Sequence, residues 1–150
     1  MTLNKYFPWA FGLSLGGTLF AGYLSGVKLL TQTCAFGESC PLVWGYSACH
    51  FGLAMFAVLL VSSAVGLWSR HEADRPKSVW INLFMATVGV IFAGTLTIQE
   101  LWRWRETGVR FYGLGLSSCF YGAVFFLILL ILTVMAVRFN RRPASVPPPA

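Results

Sequence analysis

The stretch Gly122-Ala-Val-Phe-Phe-Leu-Ile-Leu-Leu-Ile-Leu-Thr-Val-Met-Ala-Val137 carries no charged side chain, and its only hydroxyl belongs to Thr133. Extended upstream to Phe111, the run exceeds the roughly 20 residues that a helix needs to cross the hydrocarbon core of a bilayer. Three runs of the same kind precede it: Phe7 to Leu30, Gly45 to Trp68 and Val79 to Ile98. The segments between them hold what a bilayer core rejects. Thr31 to Trp44 is a loop with Gly37, Glu38 and Pro41. Ser69-Arg-His-Glu-Ala-Asp-Arg-Pro-Lys-Ser78 is a charged turn. Gln99-Glu-Leu-Trp-Arg-Trp-Arg-Glu-Thr-Gly108 is amphipathic, and Trp102, Trp104 and Tyr112 suit the membrane–water interface. Because lipid offers the backbone no hydrogen-bond partner, spanning segments of this length form helices. The predicted fold class is therefore all-α integral membrane, a four-transmembrane-helix bundle over residues 1–139. The basic, then proline-rich tail 140–150 is predicted to be disordered.

Composition agrees. Hydrophobic residues make up 57%, charged residues 11%, and mean hydropathy is +0.69, whereas a typical soluble domain carries about 25% charged residues. Too few polar side chains exist to cover a water-facing surface. The net charge of +6 is spread over the flanks of the apolar runs, where basic residues orient helices and meet anionic head groups. No basic helix face interleaved with aromatics points to nucleic acid. Four spans put both termini on one side, together with Lys5, Arg70, Arg75, Lys77, Arg138, Arg141 and Arg142. Lys28, Arg103, Arg105 and Arg110 fall on the other. The excess of basic residues places both termini in the cytoplasm, and the loop after the first span in the periplasm. The first run is long and no A-x-A-like site follows it, so it is expected to be a span rather than a cleaved leader. Gly12, Gly16, Gly22 and Gly26 in that run suggest a face of close helix approach, with Gly89 and Gly94 on the third. Pro8 is expected at the helix start, where its missing N–H is harmless.

On this topology all four cysteines gather at one membrane face. Cys34 and Cys40 are in the outer loop, Cys49 is near the outer end of the second span, and Cys119 is near that of the fourth. The periplasm permits disulfides, and thiol–disulfide exchange needs two cysteines that can pair and a thiolate that can attack. The six-residue spacing of Cys34 and Cys40 around Gly37 lets that loop close into a disulfide. Two roles fit such a bond, an exchanging shuttle or a structural staple. Cys119 follows Ser117-Ser118 near a helix start, where unsatisfied N–H groups favour thiolate; it also suits a small packed hydrophobe. His50 adjoins Cys49, but neighbours on a helix point about 100° apart, so the two are not expected to act together. Two histidines at opposite ends of the bundle make neither a metal site nor a haem site.

The chain resembles the vitamin K epoxide reductase family, in particular its bacterial members. Three features carry the resemblance: the loop pair Cys34-Ala-Phe-Gly-Glu-Ser-Cys40, the second-span opening Gly45-Tyr-Ser-Ala-Cys-His-Phe-Gly52 running on to Phe56, and the fourth-span opening Cys119-Phe-Tyr-Gly122. Ser47 stands where the family has proline, and Gly122 where it has a second cysteine. The resemblance implies a four-helix membrane thiol–disulfide oxidoreductase that couples thiol oxidation in an extracytoplasmic, thioredoxin-like partner to reduction of a quinone, ubiquinone or menaquinone. Under it, Cys34 and Cys40 are the shuttle pair and Cys119 exchanges with them. For the sulfur missing at Gly122 two rescues are open: a pairing of Cys49 with Cys119 across the second and fourth helices, or a fold kept without turnover. The quinone is expected against Phe51, Phe120 and Tyr121. The alternative is a non-catalytic subunit of a larger membrane complex. The glycine-rich spans fit it, as does the near absence of ionisable residues within the runs.

Overall fold

Apolar sequence with no proline at mid-span favours continuous helices wherever lipid withholds hydrogen bonds, even across the pair Gly16-Gly17. The structure, a computed structural model, describes residues 3–31, 42–43, 45–69, 74–107 and 118–140. It contains α1 (Leu3–Thr31), α2 (Ala48–Trp68), α3 (Asp74–Thr107) and α4 (Ser118–Asn140). All four are long and apolar enough to cross a membrane, the architecture of a multi-pass membrane protein. A short antiparallel hairpin, β1 (Leu42–Val43) and β2 (Tyr46–Ser47), pairs Leu42 with Ser47 and Val43 with Tyr46. Gly45 takes a φ of 84°, a backbone state open to glycine at little cost. The hairpin feeds directly into α2, whose N-cap Ser47 is extended.

Several boundaries differ from the sequence expectation. α1 begins at Leu3 rather than Phe7, α2 at Ala48 rather than Gly45, and α3 at Asp74, inside the segment expected to be a charged turn. Pro8 lies inside α1 rather than at its start. The carbonyl it leaves without an intrahelical donor belongs to the exposed Asn4, where water can reach it. α3 runs to Thr107, well past Ile98. Nothing from Gln99 to Thr107 breaks a helix, and the Trp102 indole N–H donates to Glu106 Oε1 one turn on at 2.9 Å.

Consecutive helices run antiparallel, and each packs on its sequence neighbour, with α4 closing the ring onto α1. One end of the bundle, the Tyr6 end, holds the starts of α1 and α3. The other, the Cys49 end, holds the starts of α2 and α4. Lipid is as apolar as a leucine side chain, so helices associate through close packing and interhelical hydrogen bonds rather than by escaping water. Both are visible. Phe7 of α1 seats on Gly66 of α2, Phe56 of α2 on Gly17 of α1, and Phe126 of α4 on Gly89 of α3. Phe56 and Phe126 stack across the bundle with centroids 4.2 Å apart. The first-run glycines singled out by spacing behave otherwise. Gly12 and Gly26 have no neighbour within 4 Å of an added Cβ, and Gly16 and Gly22 meet only ordinary contacts at 3.7 and 3.8 Å. The close-approach glycine of α1 is Gly17.

A buried polar node joins all four helices toward the Tyr6 end. The Asn82 amide (α3) donates to Tyr6 Oη (α1) and to Ser63 Oγ (α2), each at 3.0 Å. Tyr6 Oη lies 2.8 Å from Thr133 Oγ1 (α4), which itself donates to the Leu129 carbonyl. The Thr133 proton is thus committed, so Tyr6 is the donor between the two hydroxyls. All four side chains are buried. Interhelical hydrogen bonds in membrane bundles contribute about 0.6 kcal/mol each, up to about 1.7. Asn82→Ala removes two of them and leaves a void, so we expect a loss of about 1–2 kcal/mol; Tyr6→Phe should lose less. Reversible unfolding in mixed micelles measures both.

Candidate functional site

At the Cys49 end the four helices leave an apolar cavity of about 50 Å³. Its walls come from every helix. Phe20, Ala21 and Leu24 belong to α1, Ala48, Cys49, Gly52 and Phe56 to α2, Phe92, Ala93 and Leu96 to α3, and Ser118, Cys119, Gly122 and Phe126 to α4. The stacked pair Phe56–Phe126 closes the side toward the Tyr6 end. Glycine at 52 and 122 opens the upper part, since a Cβ at either position would meet nothing within 4 Å.

Two of the expected site residues come together here. Cys49 and Cys119, 70 positions apart in sequence and on helices that are not neighbours in the ring, line the same space. Both are partly buried thiols. The antiparallel register explains the meeting. Seven residues outward from the Phe126–Gly89 contact, Cys119 comes level with Leu96; two residues outward from the Phe51–Phe92 contact, Cys49 comes level with Gly94. Gly122, where the resemblance calls for a second cysteine, forms part of the same wall. His50 does not join them. It lines a separate groove with Tyr46, Phe51 and Ala54, as the rotation between helix neighbours requires. Cys34 and Cys40 lie outside the described residues, as do positions 111–117 of the expected fourth span and the tail from 141 onward.

The aromatic residues expected around a quinone sit one layer back. Phe51 packs against Phe92 at 5.9 Å, and Tyr121 packs edge-on to Phe20 at 6.2 Å with Phe120 behind it at 6.1 Å. None of the three lines the cavity; Phe20, Phe56, Phe92 and Phe126 do. Nothing in the local sequence distinguishes these four from the other nine phenylalanines. Only the packing of four helices selects them. Chemically, the arrangement places two thiols on the wall of one apolar space of the kind that favours flat apolar molecules. No protein-family model matches the chain, and neither does any curated protein or solved structure, so the reading of this site stands on its own geometry.

Proposed function

We propose that this protein is a membrane thiol–quinone oxidoreductase whose inner redox pair is Cys49 and Cys119. The observation that carries the reading is the opening of both thiols, from α2 and α4, onto one apolar cavity ringed by phenylalanines. Cys49 supplies from α2 the sulfur that Gly122 lacks. The balance is complete. Two thiols give up two electrons and two protons and become a disulfide, and a quinone takes both and becomes a hydroquinone. The oxidised pair is then reduced by exchange with Cys34 and Cys40, which in turn accept electrons from the dithiol of a thioredoxin-like partner. On this reading the protein lies in the cell inner membrane with the Cys49 end toward the periplasm, an orientation that the excess of basic residues at the other end supports.

Size sets a condition on the quinone. A dry cavity of about 150 Å³ takes benzene, three times the room here. The ring therefore seats only when wall rings turn aside, and Phe20 and Phe92, both partly exposed, are placed to do so. A second reading, a non-catalytic subunit of a larger complex, is favoured by the open glycine positions Gly12 and Gly26 on α1, which leave room for a helix of another chain.

The test is a disulfide map. Reduced protein in detergent is mixed with decylubiquinone, quenched with an alkylating agent and digested. A Cys49–Cys119 cross-linked peptide that forms with quinone and disappears on adding a reduced thioredoxin-like protein supports the enzyme. If both thiols alkylate fully at every quinone concentration, the subunit reading takes its place.

A further inference from the structure

The cavity walls offer no carboxylate, imidazole or amine, yet the reaction proposed for them moves two protons with every electron pair. We propose that Glu100 is the group that passes those protons between the thiol cavity and the water at the Cys49 end; the proposal rests on the oxidoreductase reading above. Glu100 belongs to the inward stripe of α3. Asn82, Ala86, Gly89, Ala93, Leu96 and Glu100 recur at helical spacing, and all are buried. Ala93 and Leu96 are cavity walls, and Glu100 follows one turn further out, only 7% exposed. Among the described residues no other acidic side chain is buried. A carboxyl group turned into a membrane bundle is costly and as a rule serves function rather than stability.

Helix polarity brings the groups toward one another. A helical side chain leans toward the N-terminus of its own helix. α3 ends at the Cys49 end, so Glu100 leans back toward Leu96 and the cavity. α2 and α4 start at that end, so Cys49 and Cys119 lean outward, toward the level of Glu100. The Ser118 hydroxyl, on the cavity wall beside Cys119, can hand a proton on but cannot store one. Glu100 can do both. In the oxidising direction its carboxylate takes the two protons one at a time as the disulfide forms and passes each to the water at the Cys49 end. It brings two back, one at a time, to the quinone oxygens as the hydroquinone forms; electrons pass only between sulfur and quinone.

The experiment compares two oxidants on the reduced full-length protein in detergent. Decylubiquinone draws on the cavity and its proton path. Diamide, a small water-soluble thiol oxidant, carries its own proton acceptors. Positioned proton transfer contributes about 10²-fold or more to a rate. Glu100→Gln should therefore slow quinone-driven disulfide formation by about that factor through kcat, with KM for quinone unchanged. The diamide-driven rate should stay close to wild type, and Glu100→Asp should recover most of the quinone rate. A Glu100→Gln protein that reduces quinone at the wild-type rate would overturn the assignment and leave the oxidoreductase reading standing. Equal slowing with both oxidants would overturn it too, by showing a structural role. Wild-type protein that reacts with diamide but never with quinone would sink the parent reading and this one together.

Discussion

Cys119→Ser should abolish quinone-dependent oxidation of the protein and of any partner dithiol, and Cys49→Ser should do the same. Serine matches cysteine closely in shape, so the cavity wall survives, but an oxygen cannot take part in the two-electron bond that stores the reducing equivalents. Loss in each case should reach the detection limit, because no other thiol among the described residues lines the cavity. One variant should also accumulate a mixed disulfide. The inner cysteine that exchanges with the outer loop, left without its mate, attacks the oxidised Cys34–Cys40 disulfide. That disulfide breaks as the mixed bond forms and one loop thiol is released, and no second inner thiol remains to resolve it. Non-reducing mass mapping identifies which. A rescue sharpens the point. Gly122 stands three residues after Cys119 on the same wall, and side chains three apart on a helix are neighbours. Adding Gly122→Cys to Cys49→Ser should return part of the activity by moving the second sulfur from α2 to α4. Activity that persists in Cys119→Ser would end the inner-pair mechanism.

Gly66→Val should strongly destabilise the bundle. The new Cβ would land on the ring of Phe7, which is 1% exposed and packed edge-on to Tyr6 with centroids 5.1 Å apart. The ring is almost wholly enclosed, and displacing it disturbs the polar node that Tyr6 anchors. Overpacking a close-packed core costs about 1–3 kcal/mol. Three added carbons against a fully buried ring call for the upper end, about 3 kcal/mol. Gly17→Val against Phe56 and Gly89→Val against Phe126 should follow the same pattern. Gly12→Ala is the opposite case. Its Cβ meets nothing, so the only effect is the helix preference of alanine over glycine, a gain of about 1 kcal/mol or less. Unfolding free energies in mixed micelles distinguish these cases. If Gly66→Val and Gly12→Ala shifted stability alike, the α1–α2 packing described above would be wrong. Combining Gly66→Val with Phe7→Ala should recover part of the loss, since the clash and the void it needs then coincide.

Much of this protein is legible without coordinates, for a physical reason. A bilayer imposes length and polarity on any segment that crosses it, and both are properties of a sequence window. The run ending at Val137, the charged turn before Ser78 and the basic flanks were enough to number the helices and to put Cys49 and Cys119 at one end, because antiparallel order follows from short connections. The same uniformity hides the rest. A helix that is apolar all round carries no periodic mark of which face looks inward, so spacing favoured Gly12 and Gly16 where the bundle uses Gly17, and the resemblance pointed to Phe51, Phe120 and Tyr121 where the cavity uses Phe20, Phe56, Phe92 and Phe126. Asn82 gives no hint in its own run that it bonds to two other helices. Glu100 reads as one more charge in an amphipathic stretch until α3 is seen to continue and turn it inward. Rotation about each helix axis is decided by the fit of side chains against neighbouring helices. That fit, which brings two distant thiols to one cavity, exists only once all four helices are in place.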